Sequence, residues 1–420
     1  MRKLYTIIIC FIALTLHAQE RLIVVDEGLW QQDNGRLSYF EDGKVVSNQW
    51  FRDMNGKKLG DTPNDIIQIN DSLIAITINW SNIVEFIRPN GKEVTATENI
   101  PNNRRMATDG RYLYVSSYGH ECETVDGMQT FEKGYVAKID TRTFKCIAAT
   151  EVGYEPEGIA YYNGHLFVAN TGGYAFQEAH DYESTVSILD ANSMKFVKNV
   201  DTGVINLYGT MSQAGRYLCI NSPGDYYEVD PQIVIFDCQR ALDGEEPCFV
   251  TSDNAATYNT TTRDGKFYAI GSNYKYSTNE YHYNYLLIDP ETAITSEGSD
   301  GLYDDELPGT VVADLQKMEN PYGVYVNPYT GYIYAADAGG YTEGGMLYQW
   351  NPNGDLQGKW DVYINPGHFL ALPPDGMSAG ISNIKNDVSP HAVYDLQGRK
   401  IAKPQAKGIY IVNGKKVIKK

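Results

Sequence analysis

One pattern of polar and apolar positions recurs along the chain. A small turn pair leads into a short run of β-branched and aromatic residues, which ends in a polar residue and usually glycine: "DGRYLYVSSYG" from Asp109, "NGHLFVANTGGY" from Asn163, "AGRYLCINSPGDY" from Ala214, "DGKFYAIGSNY" from Asp264 and "TGYIYAADAGGY" from Thr330. The pattern reads as turn, strand, loop, and "NDSLIAITINWS" from Asn70 is a weaker copy. A second apolar run follows each first one and closes on Glu41, Arg88, Asp140, Asp190, Asp237, Asp289 and Asn351, at spacings of 47, 52, 50, 47, 52 and 62 residues. A third run, "TPNDIIQI", "IPNNRRMA", "EPEGIAYY", "NLYGTMSQ" or "NPYGVYVN", precedes the first. Seven units of this size built from short strands predict an all-β, seven-bladed β-propeller. A lone four-stranded sheet cannot bury both its faces until neighbours pack on it.

Within each unit the strands are named a, b, c and d from the axis outwards. The first unit starts directly on a b-like strand, "RLIVVDEG", and "NPGHFLAL" at 365–372 has the pattern of the missing strand a. A one-plus-three closure is therefore expected, with the C-terminal strand completing blade one and removing the open edges.

The ends differ from the body. "MRKLYTIIICFIALTLHAQE" places Arg2 and Lys3 before a short apolar run and small residues, which predicts a signal peptide over 1–19 and a propeller over 20–375. No later stretch is long and apolar enough for a membrane helix, so no transmembrane segment is expected. Residues 376–390 read as a polar linker and 391–420 as a basic β tail. Five cysteines follow the leader, an odd number; Cys238 and Cys248 flank "QRALDGEEP" and either bridge or stand as packed thiols. Residues 20–375 carry 24 basic and 51 acidic side chains. That surplus of negative charge repels phosphate backbones and argues against nucleic-acid binding.

These repeats resemble the YncE-like seven-bladed propellers over residues 22–374. The segment "NGRLSYFEDGKVVSNQWFRDMNGKKLGDTPNDI" with "ITINWSNIVEF" is similar to a secreted branch of that family. Some members of the branch are surface proteins that capture cobalamin for an outer-membrane, TonB-dependent transporter. The tail resembles the C-terminal sorting domain of the type IX secretion system, with D-x-x-G-R from Asp395 and K-G-I-Y from Lys407. The resemblance implies a protein that is secreted or held at the outer cell surface, with a small-molecule ligand of the corrinoid class and a transporter as partners.

The a–b turns are minimal, whereas the b–c loops on the opposite face are long. Five of these loops hold 11 Tyr in 68 residues, against 33 in 420 overall. Tyrosine gives large, stiff, amphipathic contact area, which suits a recognition surface. The expected ligand-binding residues on this face are Trp30, Trp80, Tyr118, Asn170, Tyr174, Asn221, Tyr226, Tyr227, Tyr274, Tyr276, Asp337 and Tyr341. The polar residues closing strand b, among them Asp26, Asn79, Ser117, Asn170, Asn221 and Asp337, either ring the channel rim or satisfy loop backbone. Residues 300–306 lack the spacing of a calcium loop, and His120, His180 and His282 form no motif, so no metal site or cofactor is expected. No nucleophile elbow or paired-carboxylate motif appears. A binding module is therefore preferred. A lactonase- or lyase-type propeller, with Glu157 as the candidate acid or base, and a protein-binding scaffold are the alternatives.

Overall fold

The computed structural model describes residues 19–119, 132–177, 180–254, 256–275, 280–296 and 300–378, together with short strands of the tail. Seven four-stranded antiparallel sheets are arranged around one axis, and an eighth small sheet forms from Val393–Tyr394, Lys400–Ile401, Gly408–Val412 and Lys415–Lys419. The leader, most of the linker and the D-x-x-G-R motif lie outside the described residues.

The ring closes as the pattern predicts. Strand Pro366–Ala371 pairs antiparallel with Arg21–Asp26, Leu22 facing Ala371 and Val24 facing Phe369, and so supplies strand a of blade one. The other innermost strands are Pro63–Asn70, Asn103–Thr108, Pro156–Tyr162, Met211–Ala214, Tyr258–Thr261 and Pro321–Val326. The a–b turns reverse in a few residues, helped by glycines in the left-handed region such as Gly110 (φ 86°) and Gly164 (φ 78°).

The core is seven separate apolar clusters, one at each seam between neighbouring blades. Successive side chains of a strand point to opposite faces. In strand Arg21–Asp26, Ile23 and Val25 pack toward blade two, while Leu22 and Val24 pack toward blade seven. Because both faces are covered, the b strands read as continuous apolar runs rather than as alternating ones.

Two features depart from the sequence reading, and a third settles an open alternative. "GSNYKYSTNEYHYNY" is no loop: Phe267–Lys275 and Glu280–Ile288 pair out to Lys275 facing Glu280, a hairpin extending well past its neighbours. The alternation of tyrosine with polar residues there is the period-two signal of a strand. A short helix, Trp50–Asn55, fills the connection from blade one to blade two, with Trp50 and Phe51 buried. Cys238 and Cys248 are both buried and unbridged.

Glu85 on strand Ile83–Ile87 is 1% exposed, with Lys57 Nζ 3.7 Å away. Burial pushes its carboxyl up to about 7, Lys57 only partly offsetting that. The folded state thus holds a proton that the unfolded chain releases near pH 4.3, so stability falls as pH rises from about 4.5 to about 7. Glu85→Gln is expected to remove that slope and to stabilise the ring above pH 7 by roughly 2 to 3 kcal/mol. Denaturant melts at pH 5 and pH 8 check this, and an equal gain at both pH values would contradict it.

Candidate functional site at the channel mouth

In a propeller only strand a reaches the axis, so the axial chemistry is set by what the seven innermost strands carry. On the b–c side that chemistry is an ion network centred on Glu157, the second residue of its strand and fully buried. Arg104 Nε and Nη2 donate to its two oxygens at 2.7 and 3.2 Å, Arg105 Nε lies 3.2 Å from Oε1, and the Tyr118 hydroxyl donates to Oε2 at 2.7 Å. Arg105 Nη1 also donates to the Asn64 carbonyl and faces His368 Nδ1 at 3.1 Å. His368 Nε2 is 2.9 Å from Glu27 Oε1, and Tyr322 donates to Glu27 Oε2 at 2.8 Å. Asp65 accepts the Met106 N–H at 2.8 Å beside them. Five blades thereby contribute to one connected assembly.

Electrostatics decide what this assembly can do. Burial works against the charged form of Glu157, but the Arg104 and Arg105 guanidinium groups outweigh it and hold the carboxyl below its usual range. Arg104 is correspondingly pushed up, the opposing cost of burial being more than repaid by Glu157. Burial pushes the Tyr118 hydroxyl up, so it remains a donor. A carboxylate with both oxygens occupied and a lowered pKa is a poor general base.

Tyrosines surround this floor. The Tyr118 ring lies 4.8 Å from the Arg104 guanidinium and meets Tyr174 edge-on at 5.7 Å between centroids. Across the mouth, Tyr322 contacts Tyr258 and Tyr341, both at 5.9 Å. Tyr208, in the connection from blade four to blade five, feels Arg104 and Glu157 and is 39% exposed, and Tyr341 is 43% exposed. Beyond Asp65 and His368, away from this face, the channel continues as a cavity of about 950 Å³ reaching the a–b turn at Asp264.

Of the residues expected from sequence, Tyr118, Tyr174 and Tyr341 are thus brought to the mouth. Trp30 and Trp80 form an edge-to-face pair at 5.0 Å between the loops of blades one and two, Trp30 being 62% exposed. Tyr226 and Tyr227 stand exposed in the blade-five loop. Asn170 and Asp337 serve the loops, whereas Asn221 is tied to strand Tyr258–Thr261 of the next blade. Asn170 accepts the Gly153 N–H and donates to Thr185 and Ser187, Asn221 accepts from Asn259, and Asp337 accepts three N–H groups, from Glu319, Asn320 and Gly339. Strand b lies one strand away from the axis, which is why its closing polar residues anchor loops and neighbouring strands instead of lining the channel. Tyr276, His120 and the side chains of Tyr274 and His282 lie outside the described residues. His180 stacks on Tyr154 at 4.0 Å with Nε2 3.2 Å from buried Glu155. Among the described residues, no three His, Cys, Asp or Glu side chains group as a metal site would require.

Sequence reasoning missed Arg104, Arg105, Asp65, Glu27, His368, Tyr208, Tyr258 and Tyr322. The available signal was charge at the second and third positions of strand a, in "PNNRRMA", "PNDIIQI" and "PGHFLAL".

No family model and no curated protein matches the chain. Solved structures do. Hydrazine synthase of Kuenenia stuttgartiensis is 14% identical with a TM-score of 0.55, covering 74% of this chain and 96% of that one. A functionally unknown protein from Desulfotomaculum acetoxidans is 14% identical with a TM-score of 0.52, covering 84% and 99%. A hypothetical selenium-binding protein from Sulfolobus tokodaii is 10% identical with a TM-score of 0.56, covering 86% and 92%. At such identities the likeness establishes the propeller fold and nothing finer.

Proposed function

We propose that the chain is an extracellular binding protein whose tyrosine-lined channel mouth captures one bulky small molecule, a corrinoid being the ligand suggested by the sequence resemblance. The observation that carries this reading is the convergence of Tyr118, Tyr174, Tyr208, Tyr258, Tyr322 and Tyr341 above the Glu157–Arg104–Arg105 floor. Aromatic rings hold a flat macrocycle by contact area, and hydroxyl groups at their ends reach peripheral amides. The buried ions keep the floor rigid before the ligand arrives. Binding is preferred over catalysis because Glu157, the candidate acid or base, is already committed to two arginines and a tyrosine. In this reading residues 1–19 and 391–420 serve export, and an outer-membrane transporter receives the ligand.

Calorimetric titration with cobalamin and with cobinamide tests the proposal. Single substitutions Tyr174→Ala, Tyr208→Ala and Tyr341→Ala are each expected to cost on the order of 1 to 2 kcal/mol of binding. Thr330→Ala, on the a–b turn face, should cost nothing. The melting transitions should be unchanged, since these rings lie in loops or connections. Equal losses on both faces would move the site elsewhere, and no binding of either corrinoid would remove the suggested ligand.

A further inference from the structure

The Tyr174 ring at the channel mouth is carried by a single 3-10 turn, Gly173–Gln177, and Glu155 ties that turn to blade four. The Glu155 carbonyl accepts the Thr171 N–H at 3.2 Å, and its side-chain Oε2 accepts the Tyr174 N–H at 3.3 Å. Glu155 is fully buried, and its other carboxylate oxygen, Oε1, is buried without a hydrogen-bond partner. It also sits in the left-handed region at φ 42°, immediately before Pro156, a conformation that costs energy for any residue but glycine.

His180 covers this carboxylate. Its side chain is 6% exposed, Nε2 lies 3.2 Å from Glu155 Oε2, Nδ1 lies 3.0 Å from the Asp181 carbonyl oxygen, and the ring stacks on Tyr154 at 4.0 Å. Both ring nitrogens therefore face oxygen atoms. A neutral imidazole has one N–H, so beside an ionised carboxylate it turns a lone pair onto one of those oxygens. One additional proton satisfies both contacts, whether the imidazole carries it or the carboxyl does. The other charged groups around the pair are Glu183, which accepts the Tyr154 N–H at 2.7 Å, the exposed Asp181, and Lys133, whose Nζ stands 6.0 Å from the Tyr154 ring. Burial pushes the Glu155 carboxyl up, His180 opposes that, and Glu183 adds to it. His180 is the one ion-pair partner of Glu155 among the described residues.

We propose that ligand capture at the mouth is regulated by this proton: while Glu155 and His180 share it they hold Tyr174 against Tyr118, and its loss near the ordinary imidazole range releases Tyr174. The proposal rests on the binding role given to the mouth above. The held arrangement carries one proton more than the released one, so it is favoured at low pH and lost as pH rises. Hydrogen exchange of the full chain without ligand, corrected for the intrinsic pH dependence and referred to strand His165–Asn170, tests it first. Between pH 6 and pH 8.5 the backbone of Gly173–Gln177 is expected to lose about tenfold in protection relative to that strand. His180→Gln, whose amide donates to Glu155 at either pH, should show no such change, and Glu155→Gln, which removes the carboxylate, should abolish it as well. Over the same range the affinity for cobalamin should fall about tenfold in the wild type and stay level in His180→Gln. Wild-type protection that does not change with pH, the same loss in His180→Gln, or a cobalamin affinity independent of pH would each overturn the proposal. Absence of cobalamin binding bears on the ligand suggested above and not on the proton, which the exchange data decide.

Discussion

A chain cut after Tyr363 is expected to have no cooperative unfolding transition, whereas one cut after Ser378 should melt like the full-length protein. The shorter chain loses strand Pro366–Ala371 and with it strand a of blade one. It also loses Phe369, Ala371 and Leu372 from the two seams that flank that blade, together with Ile364, each 9% exposed or less. Burying a large apolar side chain contributes about 1.5 to 3 kcal/mol, so the apolar loss alone approaches the 5 to 15 kcal/mol by which a domain is stable. Further costs add to it. The N–H groups of Glu27 and Gly28 lose the Asn365 and Ile364 carbonyls, Glu27 loses His368, and the edge of strand Arg21–Asp26 opens to pairing with other chains. Circular dichroism melts and size-exclusion chromatography of the two truncated proteins decide the matter. If the shorter one melts within a few degrees of the full chain, the ring does not depend on its closing strand.

That closure was legible because it rests on local pattern. Turn chemistry, alternation and the roughly fifty-residue interval are written within each unit, and "NPGHFLAL" carries the strand-a signature in isolation. The functional face was legible only in part, for a physical reason. Tyr118, Tyr174 and Tyr341 follow strand b directly, so the loop pattern finds them, but Tyr208, Tyr258 and Tyr322 belong to connections and to strand a, where tyrosine reads as ordinary packing. The ion network is harder still. Arg105 and His368 are 263 residues apart, and only the closed ring sets them 3.1 Å from each other. Glu157 was visible as an acid in "EPEG", and turn chemistry accounted for it adequately until Arg104 and Arg105 arrived from the neighbouring blade. The tyrosine-rich segment of blade six shows the converse error: composition said loop, while its period-two alternation said strand, and pairing along both strands of the hairpin favoured the strand.

Glu157→Ala is expected to be the most damaging single substitution at the channel, by about 3 to 5 kcal/mol, because removing one partner of a buried ion group leaves the others uncompensated. Arg104 and Arg105 have side chains only 16 and 17% exposed and would face each other's charge without the carboxylate between them. Glu157→Gln keeps the shape and should cost less, and its pH dependence identifies the mechanism. The folded-state pKa of Glu157 is lowered, so its contribution is fully present above the unfolded value near 4.3 and is lost as pH falls through the folded value. The stability gap between the wild type and Glu157→Gln should therefore be widest at neutral pH and close progressively below about pH 4. Replacing the group together, Glu157→Met with Arg104→Met and Arg105→Met, should recover much of the stability lost in Glu157→Ala, since a well-packed apolar substitute often matches a buried ion group. Tyr118 would lose its acceptor in that variant, and ligand capture should stay impaired because the mouth loses its fixed polar floor. Urea melts at pH 7, 5 and 3 provide the comparison. A gap between wild type and Glu157→Gln that is the same at all three would mean that the side chain acts through packing rather than charge.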